Sequence, residues 1–216
     1  GRENLITAIE IAGARTDDGK PLVPEVALYF QNRLFRGNRT TKFSAEALNA
    51  FASFNYHPLA DVGVNIQYNA SNIAPLIDNG VAPFHISEKL SNDVVVVKLF
   101  PGIRPATLRA MLLESGARGV VLETYGAGNA PTSDWFVDLV KEAVSRGVVV
   151  VNISQCKDGA VQMHLYETGR QMQDIGVKIL FWDHNKERIV ERAKVVLAQS
   201  NIIKVVKNIF FIIISI

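Results

Sequence analysis

The chain has 216 residues, of which 48% are hydrophobic and 20% are charged, a composition typical of a globular protein with a substantial core. Its 23 Lys and Arg nearly balance its 21 Asp and Glu, so the formal net charge is +2. That balance, together with the lack of a dense basic patch interleaved with aromatic residues, argues against a nucleic-acid partner. The apolar run at residues 209–216 is too short to span a bilayer, which needs roughly 20 apolar residues, so we expect no membrane partner.

Cysteine and histidine usage narrows the chemistry further. The single cysteine, Cys156, cannot form an internal disulfide, which suits a reducing compartment. The four histidines show no metal-ligand spacing with one another or with Cys156. We therefore expect no metal site and no cofactor.

The first third of the chain predicts one helix followed by strands. Residues 3–13 carry apolar side chains at helical spacing, which indicates an amphipathic helix with Leu5, Ile6 and Ile9 on its apolar side. Apolar and polar side chains alternate over residues 25–31 and 63–68, which predicts two strands. Residues 45–51 are predicted to form a short helix, with Ser44 placed to cap it.

The second half of the chain alternates strand and helix. Apolar runs predict three buried strands, and the two amphipathic segments between them predict helices. This alternation favours a parallel sheet covered by helices on both faces, with ligand-binding loops at the carboxyl ends of the strands. The strands are predicted at residues 94–97, 119–122 and 148–153, and the helices at residues 105–112 and 133–145. Leu108, Met111 and Leu112 are predicted to form the buried face of the first of these helices.

A basic segment, Arg36-Gly37-Asn38-Arg39-Thr40-Thr41-Lys42, comes after the first predicted strand. Its cations and hydroxyls could form a solvated turn or an anion-binding nest, which is the commoner use of Lys and Arg in loops. They could also form a polar site, in which a buried Lys42 of lowered pKa takes a proton from a nearby hydroxyl. The seven residues alone leave both interpretations open.

Two polar loops lie at the ends of neighbouring predicted strands. Residues 125–129, Tyr-Gly-Ala-Gly-Asn, combine two glycines with an amide that can donate and accept hydrogen bonds. Residues 152–156 end in Gln155 and Cys156. Because parallel strands share one carboxyl edge, we expect both loops on the same rim. Each could be a site, or simply a tight turn and a buried cysteine.

Four segments of the chain resemble, in the same order, motifs of the bacterial type I L-asparaginases. They extend over about residues 1–177, and the longest of them contains the basic segment. The segments are Gly1-Arg2-Glu3-Asn4-Leu5, residues 28–42, Tyr125-Gly126-Ala127-Gly128-Asn129-Ala130-Pro131 and residues 149–156.

This resemblance implies an α/β fold in which a partial N-terminal asparaginase domain precedes a smaller, three-layer domain with a parallel sheet. We place the remnant of the N-terminal domain at residues 1–70, a linker at 71–92, the C-terminal domain at 93–177 and a divergent tail at 178–216. On this interpretation the chain is the C-terminal two-thirds of an asparaginase.

The resemblance also implies an activity and residues that perform it. The family hydrolyses L-asparagine to L-aspartate and ammonia in the cytoplasm, as a homo-oligomer and without a cofactor. By carry-over, Lys42 is a catalytic residue and Asn129 a substrate-binding residue. Thr41 and Cys156 match a possible allosteric asparagine site, although an arginine usual at that site is replaced here by Glu123.

The threonine nucleophile of the family has no counterpart in these residues. Its two motifs, one rich in glycine and one of Gly-Thr-Asp-Thr type, are both absent from the sequence. Because a nucleophile and its activating groups act as a unit, we expect no amidase activity from this chain alone. The alternative is a noncatalytic small-molecule-binding or assembly fragment that associates with an intact asparaginase subunit.

The tail departs from the asparaginase pattern. The run that begins at Lys178, through about residue 198, resembles a segment of family 30 glycoside hydrolases. It carries no carboxylate pair of its own, so we predict no glycosidase function from it.

Overall fold

The computed structural model describes residues 1–75 and 93–179 of the chain. The first range lies in one compact unit and the second range in another, here called the N-terminal and C-terminal units. Each unit has a hydrophobic cluster of its own. Most of the predicted linker (residues 76–92) and nearly all of the predicted tail (residues 180–216) lie outside the described residues.

The N-terminal unit places one helix beside an antiparallel sheet. Four strands form this sheet in the order β1-β2-β5-β6, and β3 and β4 pair separately as a short ribbon. The elements are α1 (Arg2–Gly13), β1 (Ala27–Phe30), β2 (Arg33–Arg36), β3 (Thr41–Lys42), β4 (Phe51–Ala52), β5 (Ala60–Val62) and β6 (Ile66–Tyr68).

Helix α1 is where the sequence predicts it, but the side that it buries differs. Leu5, Ile6 and Ile9 are 49%, 53% and 64% exposed, whereas Ile11 is buried in the cluster that contains Leu34. Helical spacing identifies a helix without showing which side a neighbouring element covers. The apolar side predicted for α1 therefore lies open in this unit.

The strand predicted at residues 25–31 is the first half of a hairpin. Gln31 and Asn32 have φ values of 43° and 65°, and the chain reverses there into β2. Two consecutive residues with positive φ match the right-handed twist of paired strands. The pair lacks the glycine that usually marks such a turn, so the sequence pattern did not show β2. The basic segment consequently begins at the end of β2 rather than after β1.

Residues 45–51 do not form the predicted helix. The Ser44 hydroxyl accepts hydrogen bonds from the backbone N–H groups of Glu46 (3.2 Å) and Ala47 (2.9 Å), as a cap would. The chain then turns back instead of continuing, and the Phe43 N–H donates to the Ala50 carbonyl at 2.8 Å. Cap chemistry alone thus closes one turn here, and the pairing of β3 with β4 determines the path of the chain after that turn.

The strand predicted at residues 63–68 begins later than expected. Gly63 to Asn65 form a turn, in which the Gly63 N–H donates to the Asn65 carbonyl at 3.1 Å. The strand β6 starts at Ile66 and pairs antiparallel with β5. The alternating pattern therefore spans a hairpin turn and one strand.

The C-terminal unit contains a parallel sheet in the order β10-β9-β8-β7, which confirms the predicted α/β class. Helix α3 packs against both α2 and α4. The elements are β7 (Val94–Lys98), α2 (Pro105–Arg109), β8 (Gly119–Thr124), α3 (Asp134–Ser145), β9 (Val149–Ser154), α4 (Glu167–Asp174) and β10 (Lys178–Ile179).

Helix α2 starts with Pro105 at its first position, as predicted, and continues as a π-helical turn over Ala110–Glu114. Leu108 and Leu112 are buried, but Met111, predicted to share their face, is 39% exposed. A π turn closes hydrogen bonds over five residues, which interrupts the 3.6-residue repeat on which that prediction relied.

Helix α4 approaches the preceding chain very closely at Gly169. A Cβ atom built on Gly169 would lie 2.2 Å from the Met163 carbonyl oxygen, a backbone atom in the short 3₁₀ turn Met163–Leu165. A side chain would therefore push the helix away from this turn. The turn carries Met163, which is 1% exposed and belongs to the core of the unit.

We predict that Gly169→Ala lowers the free energy of unfolding of the C-terminal unit by at least about 2 kcal/mol, because a methyl group cannot fit against backbone. Gly13→Ala is the control, since a Cβ there meets nothing within 4 Å. Chemical denaturation of both variants can be monitored by circular dichroism, which reports on both units. Equal midpoints for the two variants would contradict the close approach.

Candidate functional site

The basic segment begins with a cation that is already paired. The Arg36 Nε donates to the Glu25 Oε2, and Nη2 donates to Oε1 at 2.8 Å, so the guanidinium binds the carboxylate through two hydrogen bonds. The two side chains are only 16% and 9% exposed. This geometry fixes Arg36 as a structural residue of the N-terminal unit.

A polar network surrounds that ion pair. The Arg36 Nη2 also donates to the Asn72 carbonyl at 3.1 Å, and the Tyr56 hydroxyl donates to the same oxygen at 2.7 Å. The guanidinium carbon of Arg36 lies 4.2 Å from the centre of the Tyr56 ring, within cation–π range. The Ala74 N–H donates to the Glu25 carboxylate, so the carboxylate binds residues far apart in the chain.

The two arginines of the segment differ electrostatically. Burial lowers the pKa of the Arg36 guanidinium, but the hydrogen bonds and charge of Glu25 outweigh it, so this pKa lies above its ordinary value. Burial, reinforced by repulsion from Arg36, holds the pKa of Arg39 below its ordinary value. The Arg39 guanidinium also lies over the Tyr56 ring, 5.7 Å from its centre. Both arginines therefore belong to the packed part of the unit.

The end of the segment is the part that faces solvent. Thr40 is buried, and its hydroxyl donates to the Arg36 carbonyl at 2.7 Å. Thr41 and Lys42, which form β3, are both exposed, and Lys42 pairs with Phe51 of β4. The structure thus places the predicted catalytic residue on a short ribbon, as a solvated amine rather than a buried one.

The two predicted rim loops of the C-terminal unit do meet. The Ser154 hydroxyl donates to the Gly126 carbonyl at 2.6 Å, and the Gln155 N–H donates to the Thr124 carbonyl at 2.9 Å. Tyr125 and Asn129 also form a β-bridge that closes the first loop on itself. Both loops therefore lie at the carboxyl edge of the parallel sheet, as the strand order requires.

Asn129 is half-buried in its loop, and its side-chain oxygen is fully engaged. The Ala130 N–H donates to the Asn129 Oδ1 at 2.9 Å, and the Thr168 hydroxyl donates to the same atom at 3.1 Å. Thr168 is 2% exposed and lies in the first turn of α4. A hydrogen bond from helix α4 thus holds the predicted substrate-binding amide.

A second buried amide lies beneath the same loop. Asn152 is fully buried, and its Oδ1 accepts a hydrogen bond from the Thr124 hydroxyl at 2.7 Å. Within the described residues its Nδ2 has no hydrogen-bond partner. A Cβ built on Gly128 would lie 3.4 Å from that Nδ2 and 2.6 Å from the Val161 side chain. The loop backbone at Gly128 can pass this close only because the residue has no side chain.

Cys156 is exposed at the end of the second loop, so the buried structural cysteine considered from sequence is not observed. Its backbone N–H donates to the Ser154 hydroxyl at 2.9 Å. The neighbouring Gln155 Nε2 donates to the carbonyls of Leu99 (2.6 Å) and Glu123 (2.9 Å), which ties together the ends of β7 and β8. Gln155 is accordingly a structural clamp of the rim.

The four predicted site residues fall into two pairs. Thr41 and Lys42 are neighbours on β3, and Asn129 and Cys156 lie on the rim of the C-terminal unit. A groove of about 600 Å³ lies between α1 and the hairpin of β5 and β6, and its walls include none of the four. Across residues 1–75 and 93–179, no group of three or more His, Cys, Asp or Glu could hold a metal ion.

Sequence reasoning missed the residues that support both pairs. Glu25, Tyr56 and Asn72 surround Arg36 from positions up to 36 residues away, and no local pattern links them. Thr168 and Asn152 are polar residues that the fold buries. A buried polar residue needs a hydrogen-bond partner. For Thr168 and Asn152, that need was the only sign that they support a neighbouring loop.

The part of the chain that the structure describes contains no helix of the length and apolarity needed to cross a membrane. Its fold defines an α/β protein whose C-terminal parallel sheet carries polar loops along its carboxyl edge.

Comparison with known proteins identifies the family. The sequence model of the N-terminal asparaginase domain matches residues 1–74, and that of the glutaminase/asparaginase C-terminal domain matches residues 93–210. The second match runs past residue 177, where sequence analysis placed the start of a divergent tail. The chain belongs to the asparaginase family of hydrolases.

Individual relatives agree with that assignment. The chain is 39% identical to the human 60 kDa lysophospholipase over 92% of the chain and 33% of the relative. It is 37% identical to L-asparaginase 1 of Escherichia coli K12 over 82% of the chain and 49% of the relative. The crystal structure of L-asparaginase I from Vibrio cholerae superposes with a TM-score of 0.72 at 30% identity, covering 99% of this chain and 61% of that one. The chain thus spans a third to a half of the length of these two curated relatives.

We predict that Arg36→Lys lowers the free energy of unfolding of the chain by about 2 kcal/mol, because an ammonium cannot reproduce the paired hydrogen bonds to Glu25. Arg33→Lys is the matched control on the same strand, where the side chain is 62% exposed. We expect that control to change stability by less than about 0.5 kcal/mol. Denaturant unfolding monitored by circular dichroism measures both, and a similar cost at the two positions would refute the structural role of Arg36.

Proposed function

We propose that this chain supplies the Lys42- and Asn129-bearing part of a type I L-asparaginase, which hydrolyses L-asparagine to L-aspartate and ammonia. The observation that carries the proposal is the exposure of Thr41 and Lys42 on β3, in a chain matched by both domains of the family. Every other part of the basic segment that carries a charge is packed against the unit.

In the proposed reaction Lys42 assists proton removal from a threonine hydroxyl. The threonine oxygen attacks the side-chain carbonyl carbon of asparagine, and the C–N bond breaks as ammonia leaves with an added proton. Water then hydrolyses the resulting ester, which restores the threonine and releases aspartate. Lys42 is exposed on β3 in this chain, so this role requires that the assembled protein enclose its amine beside the threonine hydroxyl.

The threonine must come from outside these 216 residues, because neither threonine motif of the family has a counterpart in the sequence. We therefore propose that the chain alone does not release ammonia from asparagine. We also propose the domain boundaries predicted from sequence, a homo-oligomeric assembly in which the loop at Asn129 reaches substrate, and a cytoplasmic location.

By the same resemblance, Thr41 and Cys156 would belong to an allosteric asparagine site. The exposure of Cys156 agrees with a regulatory surface, but Glu123 replaces the arginine of that site with the opposite charge. A carboxylate beside the site would repel the carboxylate of an amino-acid effector.

One observation favours the second candidate, a noncatalytic assembly role. Leu5, Ile6 and Ile9 form an exposed apolar side of α1, and clustered exposed apolar side chains mark interaction surfaces. This surface would bind another asparaginase segment whether or not the assembled protein is active.

We predict that ammonia release from L-asparagine appears only when the chain is mixed with the amino-terminal part of E. coli L-asparaginase 1 that bears the threonine motifs. Lys42→Ala should then lower kcat by at least about 10³-fold, because the members of such a catalytic unit act together. Lys20→Ala, which removes a lysine that is 52% exposed in the same unit, should leave the rate unchanged.

The outcomes separate the two candidates. If a mixture in which both parts are folded and associated releases no ammonia, the assembly role is favoured. Full activity of Lys42→Ala would show that Lys42 is not catalytic. The same mixtures should be assayed for fatty-acid release from a lysophospholipid, because release there without ammonia from asparagine would reassign the substrate.

A further inference from the structure

We propose that Thr168 is a positioning residue, which fixes the Asn129 carboxamide so that its Nδ2 group faces an acceptor oxygen of the bound substrate. The inference rests on the proposed function, in that it takes Asn129 to contact substrate. It adds the residue that orients that contact and the chemical class of substrate atom that the contact recognises.

The orientation of the Asn129 amide is determined by its donors. The Ala130 N–H lies 2.9 Å from one side-chain atom of Asn129, and a backbone N–H can only donate, so that atom must be the oxygen. The Thr168 hydroxyl donates to the same oxygen at 3.1 Å. A carbonyl oxygen has two lone pairs, and these two donors occupy both.

The other end of the amide is available to a ligand. Within the described residues the Asn129 Nδ2 has no protein acceptor, and Asn129 is half-buried rather than enclosed. With its oxygen saturated, Asn129 can offer a substrate only the N–H donors of Nδ2. It is therefore suited to bind a carboxylate or carbonyl oxygen and unsuited to bind an ammonium group.

Thr168 acts through Asn129 because it cannot reach a substrate itself. It is 2% exposed, and the next residue, Gly169, lies against the Met163 carbonyl. That close approach fixes the first turn of α4, and with it the position of the Thr168 hydroxyl. Loss of the hydroxyl would leave one donor to the Asn129 oxygen, and the amide could then rotate away.

The test compares Thr168→Val, which keeps the shape and removes the hydroxyl, with Thr168→Ser, which keeps the hydroxyl. Each variant of the 216-residue chain is mixed with the threonine-bearing E. coli segment and assayed with L-asparagine. We expect Thr168→Val to raise KM roughly three- to tenfold, with a smaller change in kcat, since one neutral hydrogen bond is lost. Thr168→Ser should restore KM, and an unchanged KM in Thr168→Val would overturn the inference.

A second measurement needs no activity. Nuclear magnetic resonance of the Asn129 side-chain NH2 group in the full chain, assigned with Asn129→Asp, reports whether that amide is ordered. We expect an ordered group in the native chain and in Thr168→Ser, and a mobile one in Thr168→Val. Equal order in all three would overturn the positioning role. A wild-type mixture that releases no ammonia would instead count against the proposed function, and the resonance data would still decide the role of Thr168.

Discussion

The N-terminal unit depends on the paired hydrogen bonds between Glu25 and Arg36. Glu25 lies just before β1 and Arg36 ends β2, so the ion pair locks the open end of the hairpin. The same two side chains bind backbone groups of Asn72 and Ala74, which brings in the chain beyond β6. A buried charge is tolerated only when it is paired and hydrogen-bonded, and here each charge satisfies that condition for the other. The ribbon that carries Lys42 begins five residues after Arg36, so the ion pair fixes the point from which the ribbon starts.

The loops of the C-terminal unit are also held by side-chain hydrogen bonds, but between uncharged groups. Side chains of the rim loops and of α4 bind backbone carbonyls and another side chain there. The Ser154 hydroxyl and the Gln155 Nε2 donate hydrogen bonds to backbone carbonyls, and the Thr168 hydroxyl donates to the Asn129 side chain. Loops supported in this way keep a defined shape without secondary structure, which a binding surface requires.

Much of the C-terminal unit could be predicted from sequence, because its signals are local. The apolar runs of β7, β8 and β9 and the position of Pro105 at the start of α2 depend on a few adjacent residues each. Distant contacts decide what was missed. The hairpin at Gln31 and Asn32 lacks glycine, and pairing of β3 with β4 overrides the cap formed by Ser44.

The candidate site was predictable only as a set of residue types. Lys42 and Asn129 were found by resemblance to a family, and the structure places the first on an exposed ribbon and the second in a supported loop. Their surroundings depend on Arg36, Asn152 and Thr168, whose partners are 11, 28 and 39 residues away in the chain. No spacing rule links residues across such distances, so burial and hydrogen bonding had to be observed.

The exposed thiol of Cys156 has a practical consequence. It is the only cysteine in the sequence. Its backbone N–H donates a hydrogen bond to the Ser154 hydroxyl, and that hydroxyl donates to the Gly126 carbonyl in the loop that carries Asn129. A fluorophore or spin label could be attached there without any engineered mutation. Two successive hydrogen bonds would connect the labelled residue to that loop. The native chain thus carries its own attachment point for reporting how the loop moves when a ligand or a second segment arrives.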